Sequence, residues 1–405
     1  MVLPQGNRGD FSPVTIRRLK AAYFTIEGLN SFTTVIFLNY LYFLTRDVFG
    51  FDNKRNLALA ALLGLVYTFA AWQAGKFAQR RGYFTALKTG FILLSAAYVL
   101  GFIFQDIIGL ILAAMMASIG TCFIWPTLEA LVSENETADR VPHLVGIYNV
   151  VWAVSNASAF FIGGTLIKLF GFKVIVVLPL MLTLVMLAMV VWLQKEAANI
   201  GHGRKESSTI ATPVDPERPS PVVAACFLRM AWLANPFAYI GINTLIAVIP
   251  GIAAKFQLSP MGAGFVCSLW CFVRLGTFVG LWRWTGWHYR FHWLAGAFAL
   301  LVVSFATILM SPSLIVLMLA QAFFGSAIGL IYYSSLFYSM DAGDAKGEHG
   351  GIHEAVIGVG NCVGPAVGAA ALQFLPQMQN SGAVAVSMLL LGGLGGLLVI
   401  RKTAK

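Results

Sequence analysis

Phe24-Thr-Ile-Glu-Gly-Leu-Asn30 stands near the start of the first long apolar run, and Phe237-Ala-Tyr-Ile-Gly-Ile-Asn243 answers it in the second half of the chain. Phe, Gly and Asn return at one offset, 213 positions (237 − 24), each time inside the opening hydrophobic run of a half. Glu27 stands where the second copy has Ile240. A duplicated membrane framework in which one copy keeps a carboxylate would join a repeated scaffold to a single asymmetric charge.

Composition agrees with a membrane setting. The chain has 405 residues, 58% hydrophobic and 11% charged, with mean hydropathy +0.78, outside the range of a soluble domain. Twelve apolar runs approach the ~20 residues that a spanning helix needs. They cover about 20–44, 57–79, 83–104, 107–132, 142–167, 172–194, 222–250, 261–283, 290–310, 313–338, 351–374 and 380–400. The fold expected is all-α, with twelve transmembrane helices in two pseudo-symmetric six-helix bundles, residues 1–194 and 222–405, joined by a polar, proline-rich linker at 195–221. The first run begins only at Lys20 and lacks a small-residue cleavage site behind it, so it is expected to be a retained span rather than a signal peptide.

The net charge of +10 does not call for nucleic acid, because the basic residues lie in short loops between the runs. With both termini cytoplasmic, the outer loops hold only Arg46, Lys54, Arg55, Lys168, Lys173 and Lys255, and Arg274 lies within span 8. The remaining basic residues then fall inside, as the positive-inside rule requires. Cys122, Cys226, Cys267, Cys271 and Cys362 all fall in spans, so neither a disulfide nor a metal site is expected. No cofactor is expected, and the histidines show no His-Glu-x2-His spacing for an enzymatic centre.

The repeat continues beyond its opening stretch. Gly146-Ile-Tyr-Asn149 followed by Asn156 matches Gly351-Ile-His-Glu354 followed by Asn361, an offset of 205 (351 − 146). Tyr83 and Gly90 match Tyr289 and Gly296 at 206 (289 − 83). Three matches in order point to a six-helix unit duplicated in parallel.

Twelve spans, two six-helix halves and a long central loop resemble the major facilitator superfamily across essentially the whole chain. The closest local match is Gly75-Lys-Phe-Ala-Gln-Arg80-Arg81-Gly82 in loop 2–3, similar to the family's Gly-x3-Asp-Arg-x-Gly signature with Gln79 in place of the acid. The resemblance implies that this loop sits near the cytoplasmic end of span 11. Arg80 and Arg81 are therefore expected to engage Asp344, Glu348 or Glu354 as a cytoplasmic gate. Other signatures are incomplete: Met116 stands where proton-driven members often carry Arg before Gly120, and Ala159-Phe160 replaces the antiporter Gly-Pro. A Gly-x3-Gly-Pro-x2-Gly pattern occurs instead at Gly360 to Gly368.

An ionisable side chain at the centre of a span costs about 2.5–3.5 kcal/mol on translocon scales, so each exception is informative. Glu27 lies about 10–15 Å inside span 1 at 1.5 Å per residue, and Asn30 and Thr34 continue its stripe at i+3 and i+7. A carboxylate there can load and release a proton as water access changes. Glu129, four residues after Trp125, is expected to join it in proton coupling. Arg274 either pairs with a cavity acid, Glu27 being the foremost candidate, or receives an anionic group of the substrate. The resemblance implies a cavity lined by spans 1, 4, 5, 7, 8, 10 and 11. Its expected substrate-binding side chains are Asn30, Trp125, Asn149, Trp152, Asn156, Tyr239, Asn243, Arg274, Gln321, Tyr332 and Asn361. Trp282, Trp284 and Trp287 are read as interfacial aromatics.

The function expected is secondary active transport of a small polar or anionic metabolite by alternating access, coupled to protons. Proton-driven efflux of drug-like compounds is the alternative, and a non-transporting receptor or scaffold the alternative of another class. The partners expected are a small-molecule substrate, protons and the lipid bilayer, with the chain a monomer in the inner membrane.

Overall fold

The structure is a computed structural model that describes residues 13–134, 140–199, 220–342, 348–378 and 380–403. The first half contains α1 (Pro13–Leu38), α2 (Leu41–Phe49), α3 (Asn53–Arg81), α4 (Tyr83–Ile103), α5 (Ile107–Ser133), α6 (Val141–Phe170) and α7 (Val174–Asn199). The second contains α8 (Pro221–Lys255), α9 (Pro260–Cys267), α10 (Leu269–Arg283), α11 (Phe291–Met310), α12 (Leu314–Ala342), α13 (Glu348–Phe374) and α14 (Ser381–Thr403). Most of the expected linker lies at 200–219, outside the described residues.

Eleven crossings are long and apolar enough to span a bilayer on their own composition. The twelfth is α1 with α2, whose first turns carry Arg17, Arg18 and Lys20. An even number of crossings places Pro13 and Thr403 on one face, called here the terminal face, opposite the distal face.

Two expected spans are interrupted. The first breaks at Asn39-Tyr40 between α1 and α2, and the eighth at Ser268 between α9 and α10. Tyr40 is fully buried, donates to the carbonyl of Phe160 at 2.5 Å and stacks on Phe43, so the break is held by α6. Beyond it α2 closes on a left-handed Gly50 at φ 68°, whose N–H bonds back to Arg46 O at 3.1 Å while the N–H of Phe51 reaches Thr45 O at 3.0 Å. Asp52 then starts α3 by accepting from the N–H of Arg55 at 2.8 Å, as Asp106 starts α5 through Gly109 at 2.9 Å. The opposite end of α5 is capped by a buried lysine: Lys20 Nζ donates to Leu131 O at 3.0 Å, Val132 O at 2.7 Å and Glu134 O at 2.7 Å. The negative end of that helix is thereby tied to α1.

Helix pairing follows the repeat. In the first half α1 lies on α6, and Gly28 admits Val151 and Ser155; in the second, α8 lies on α13, and Gly360 and Gly364 admit the carbonyls of Pro236 and Ile240. The pair is kept while the glycine changes sides. The repeat-related amides differ too. Asn243 donates to Asn361 in the second half, whereas Asn30, the counterpart of Asn243, is fully buried with both amide atoms unbonded.

The most extensive helix pair of all joins the halves: α3 runs along α13. The approach depends on missing side chains, since a Cβ at Gly64 would lie 2.5 Å from Asn361 C and one at Gly358 would lie 2.7 Å from Thr68 Oγ1. A second seam joins α6 to α9 and α10. Its distal end is tight: a Cβ on Gly164 would lie 2.5 Å from Pro260 C, and Phe161 meets Phe265 at 4.6 Å between ring centroids. Lys54 donates to Gln373 at 3.0 Å and Asn53 abuts Gly251, so both seams are closed at the distal face.

Trp282 and Trp284 are 43% and 45% exposed, in keeping with a boundary position, but Trp287 is 1% exposed. It tucks beneath the turn after α10 against Tyr333 and Phe337, making it part of the core.

Candidate functional site: a charged cavity between the halves

Between the two seams lies a cavity of about 190 Å³, lined by both halves. Its cation is Arg274, 5% exposed on α10. Trp270 precedes it by four residues and so shares its helix face. The guanidinium carbon lies 4.3 Å from the ring centroid of Trp152 and 5.1 Å from that of Trp270, one indole from each half. Contacts of this kind are worth about 2 kcal/mol when desolvated. Trp152 is itself stacked on Tyr332 at 5.4 Å with 18° between planes, which fixes the wall. Among the described residues no carboxylate pairs with Arg274, and its Nε, the Nε1 of Trp270 and the Nε1 of Trp125 have no hydrogen-bond partner.

Two carboxylates line the same space. Glu354 Oε2 accepts from Tyr67 OH at 2.5 Å, a bond from α13 to α3 and hence between the halves. Glu129, on α5, presents its carboxylate to the cavity with no hydrogen-bond partner among the described residues. Tyr239 and Tyr332 lie within electrostatic reach of Arg274 on the one hand and of Glu129 and Glu354 on the other. The cavity therefore has a positive pole at Arg274 and a negative pole at Glu129 and Glu354, with two phenols in reach of both.

Glu27 sits one layer behind. It is fully buried, accepts from Ser31 Oγ at 2.6 Å on Oε1 and from Tyr148 OH at 2.9 Å on Oε2, and does not line the cavity. Tyr148 does line it, and so stands between Glu27 and the open space. The expected pairing of Glu27 with Arg274 is not formed, because both carboxylate oxygens are engaged within the first half.

Of the expected substrate-binding residues, Trp125, Trp152, Asn156, Tyr239, Asn243, Arg274, Tyr332 and Asn361 line the cavity. Asn30, Asn149 and Gln321 do not. Asn149 Nδ2 bonds back to Val145 O at 2.8 Å, and Gln321 Nε2 reaches across to Val266 O at 3.1 Å, so both serve helix packing. Arg80 and Arg81 are exposed at the terminal end of α3. Glu354 is not their partner: it bonds Tyr67, thirteen residues (80 − 67) or about 20 Å along α3 from Arg80 at 1.5 Å per residue. Asp344 lies outside the described residues, as does the side chain of Glu348.

Sequence reasoning passed over Tyr67, Tyr148 and Trp270. Tyr67 belongs to α3, a helix that the resemblance did not count among the cavity walls. Tyr148 stood just after the repeated Gly-Ile pair, and Trp270 was marked by its i, i+4 spacing to Arg274. The repeat also carried a signal for Glu354, since it occupies the place of Asn149 (354 − 205) and so lies in the span rather than the loop.

A sequence profile of the Major Facilitator Superfamily matches residues 21–365. No curated protein sequence matches the chain. Solved structures do. A bacterial homologue of the human drug peptide transporters PepT1 and PepT2 superposes with TM-score 0.69 at 16% identity, over 96% of this chain and 100% of that one. The human organic anion transporter MFSD10 gives 0.64 at 14%, over 96% and 99%. A bacterial homologue of the human lysosomal transporter Spinster gives 0.64 at 14%, over 97% and 96%. Identities this low carry the fold alone. With the profile running from α1 into α13 and the twelve crossings arranged in paired halves, the chain belongs to the major facilitator superfamily, and it is a multi-pass membrane transporter of small molecules.

Proposed function

We propose that the protein is a proton-coupled secondary transporter that moves a small polar or anionic metabolite by alternating access. The observation that carries this is Arg274, a permanently charged group buried in a cavity between two halves, stacked on indoles but joined to no carboxylate. A buried cation with unused N–H groups is costly unless a ligand acceptor completes it. Trp125, Trp152, Asn156, Tyr239, Asn243, Tyr332 and Asn361 form the remaining wall of the proposed substrate site.

Glu27 is the proposed coupling group, with Glu129 on the path. A proton entering from the cavity meets Tyr148 OH, whose other neighbour is Glu27 Oε2. Residues 1–194 and 222–405 act as the two rocking units, with 195–221 as the linker, in a monomer of the inner membrane whose termini face the cytoplasm. Arg80 and Arg81 remain candidate gate residues toward Asp344 and Glu348.

The test is flux in proteoliposomes with an internal pH dye and metabolite pools of defined charge. Wild type should acidify or alkalinise the lumen in step with substrate. Glu27→Gln should retain substrate exchange while losing the pH change; a dye signal that survives the substitution removes Glu27 from the coupling role.

A further inference from the structure

The two poles of the cavity narrow the substrate further. At the positive pole, Arg274 and Trp270 are 5% and 2% exposed, and both present N–H groups that no protein acceptor satisfies. These are donors alone, so they require an acceptor, and the full charge on Arg274 favours an anionic one. At the negative pole, among the described residues, the Glu354 carboxylate receives a single hydrogen bond, from Tyr67 to Oε2, and the Glu129 carboxylate receives none. No lysine, arginine or histidine among the described residues pairs with either.

A simple anion would satisfy Arg274 but share the cavity with two carboxylates. A simple cation would satisfy the carboxylates and leave Arg274 without a counter-charge. Since like charges in a low-dielectric space repel strongly, each half-match wastes the attraction it gains. We propose that the substrate is a zwitterion: a carboxylate seated on Arg274 and the Trp270 N–H, and an ammonium seated between Glu354 and Glu129. Tyr239 and Tyr332 line the same cavity within electrostatic reach of both charges, so the body that joins the two charges is apolar or aromatic. The assignment rests on the transport function proposed above and commits it to one class of polar metabolite.

The experiment uses the purified full-length protein in detergent or nanodiscs and measures affinity by calorimetry for two matched sets of probes. One is L-phenylalanine, 3-phenylpropanoate and 2-phenylethylamine; the other is 6-aminohexanoate, hexanoate and hexylamine. In at least one set the zwitterion should bind about ten- to hundredfold more tightly than the acid and the amine of the same skeleton, the loss expected for one charge-assisted contact. Arg274→Gln should erase the preference for the zwitterion over the amine, and Glu354→Gln or Glu129→Gln should reduce its preference over the acid. If the acid or the amine matches the zwitterion in both sets, or no zwitterion binds, the assignment is overturned. Proton-linked flux of another solute in the liposome assay would then leave the transport function standing, whereas absence of flux for every pool would remove both. The wild-type comparison decides the matter even if a variant does not fold.

Discussion

Tyr148 gives Glu27 its route to the cavity. Replacing it with Phe keeps the ring and removes the O–H that bonds Glu27 Oε2. Tyr148→Phe should therefore move fewer protons per substrate, toward the value of Glu27→Gln, while substrate affinity stays within about twofold, since the hydroxyl's bonds, to Glu27 Oε2 at 2.9 Å and Trp125 O at 3.4 Å, are both made within the protein. Titrating lumen pH change against substrate uptake measures the ratio. Tyr67→Phe acts elsewhere, removing the bond that ties the halves through Glu354; conformational exchange should quicken, visible as faster reaction of Cys271, which lines the cavity, with a thiol reagent. Sequence alone exposed the costly groups, because a charge in an apolar run announces itself. It could not say which of them share a space. Glu27 and Arg274 are at comparable depth in their spans, yet rotation about each helix axis sends one behind Tyr148 and the other onto two indoles, and a stripe of i, i+3, i+7 positions fixes a face without naming what that face meets.

The helices owe much of their close packing to positions that carry no side chain. Gly64→Ala would thrust a methyl into the backbone of α13 at Asn361-Cys362, where no flexible side chain can give way. Transport should fall by an order of magnitude or more, as expected when packed backbones are forced apart by about 1–3 kcal/mol. Gly296→Ala, where nothing lies within 4 Å, serves as the control and should leave flux unchanged. Lys20→Met leaves the end of α5 with three carbonyls deprived of a charged donor, and the thermal midpoint should drop by several degrees for a loss of about 2 kcal/mol. The number and order of the spans were readable from run length and from the repeat, since bilayer thickness constrains them. The interruptions at Asn39-Tyr40 and Ser268 were not, because both lie in continuous apolar sequence without Gly or Pro at the break. They depend on contacts with distant helices, Tyr40 to Phe160 being the plainest.

Across the whole molecule, the distal face is one of the places where the halves are held together. Lys54 and Gln373 face each other across it. In a background free of the five native cysteines, Lys54→Cys with Gln373→Cys should be bridged by a bis-methanethiosulfonate reagent long enough to replace the two side chains, stop transport, and recover on reduction. Flux unaffected by a complete cross-link would mean that the distal ends need not part. Ser268 adds a consequence for such parting. It separates α9, which bears the Pro260 and Phe265 contacts of the distal seam, from α10, which bears Trp270 and Arg274. A continuous rod would turn any swing of its tip into an equal and opposite tilt at its middle. A jointed one would transmit less of that tilt, so in the proposed transport cycle the doorway would move while the substrate keeps its hold, and unlatching and release would become two events in time.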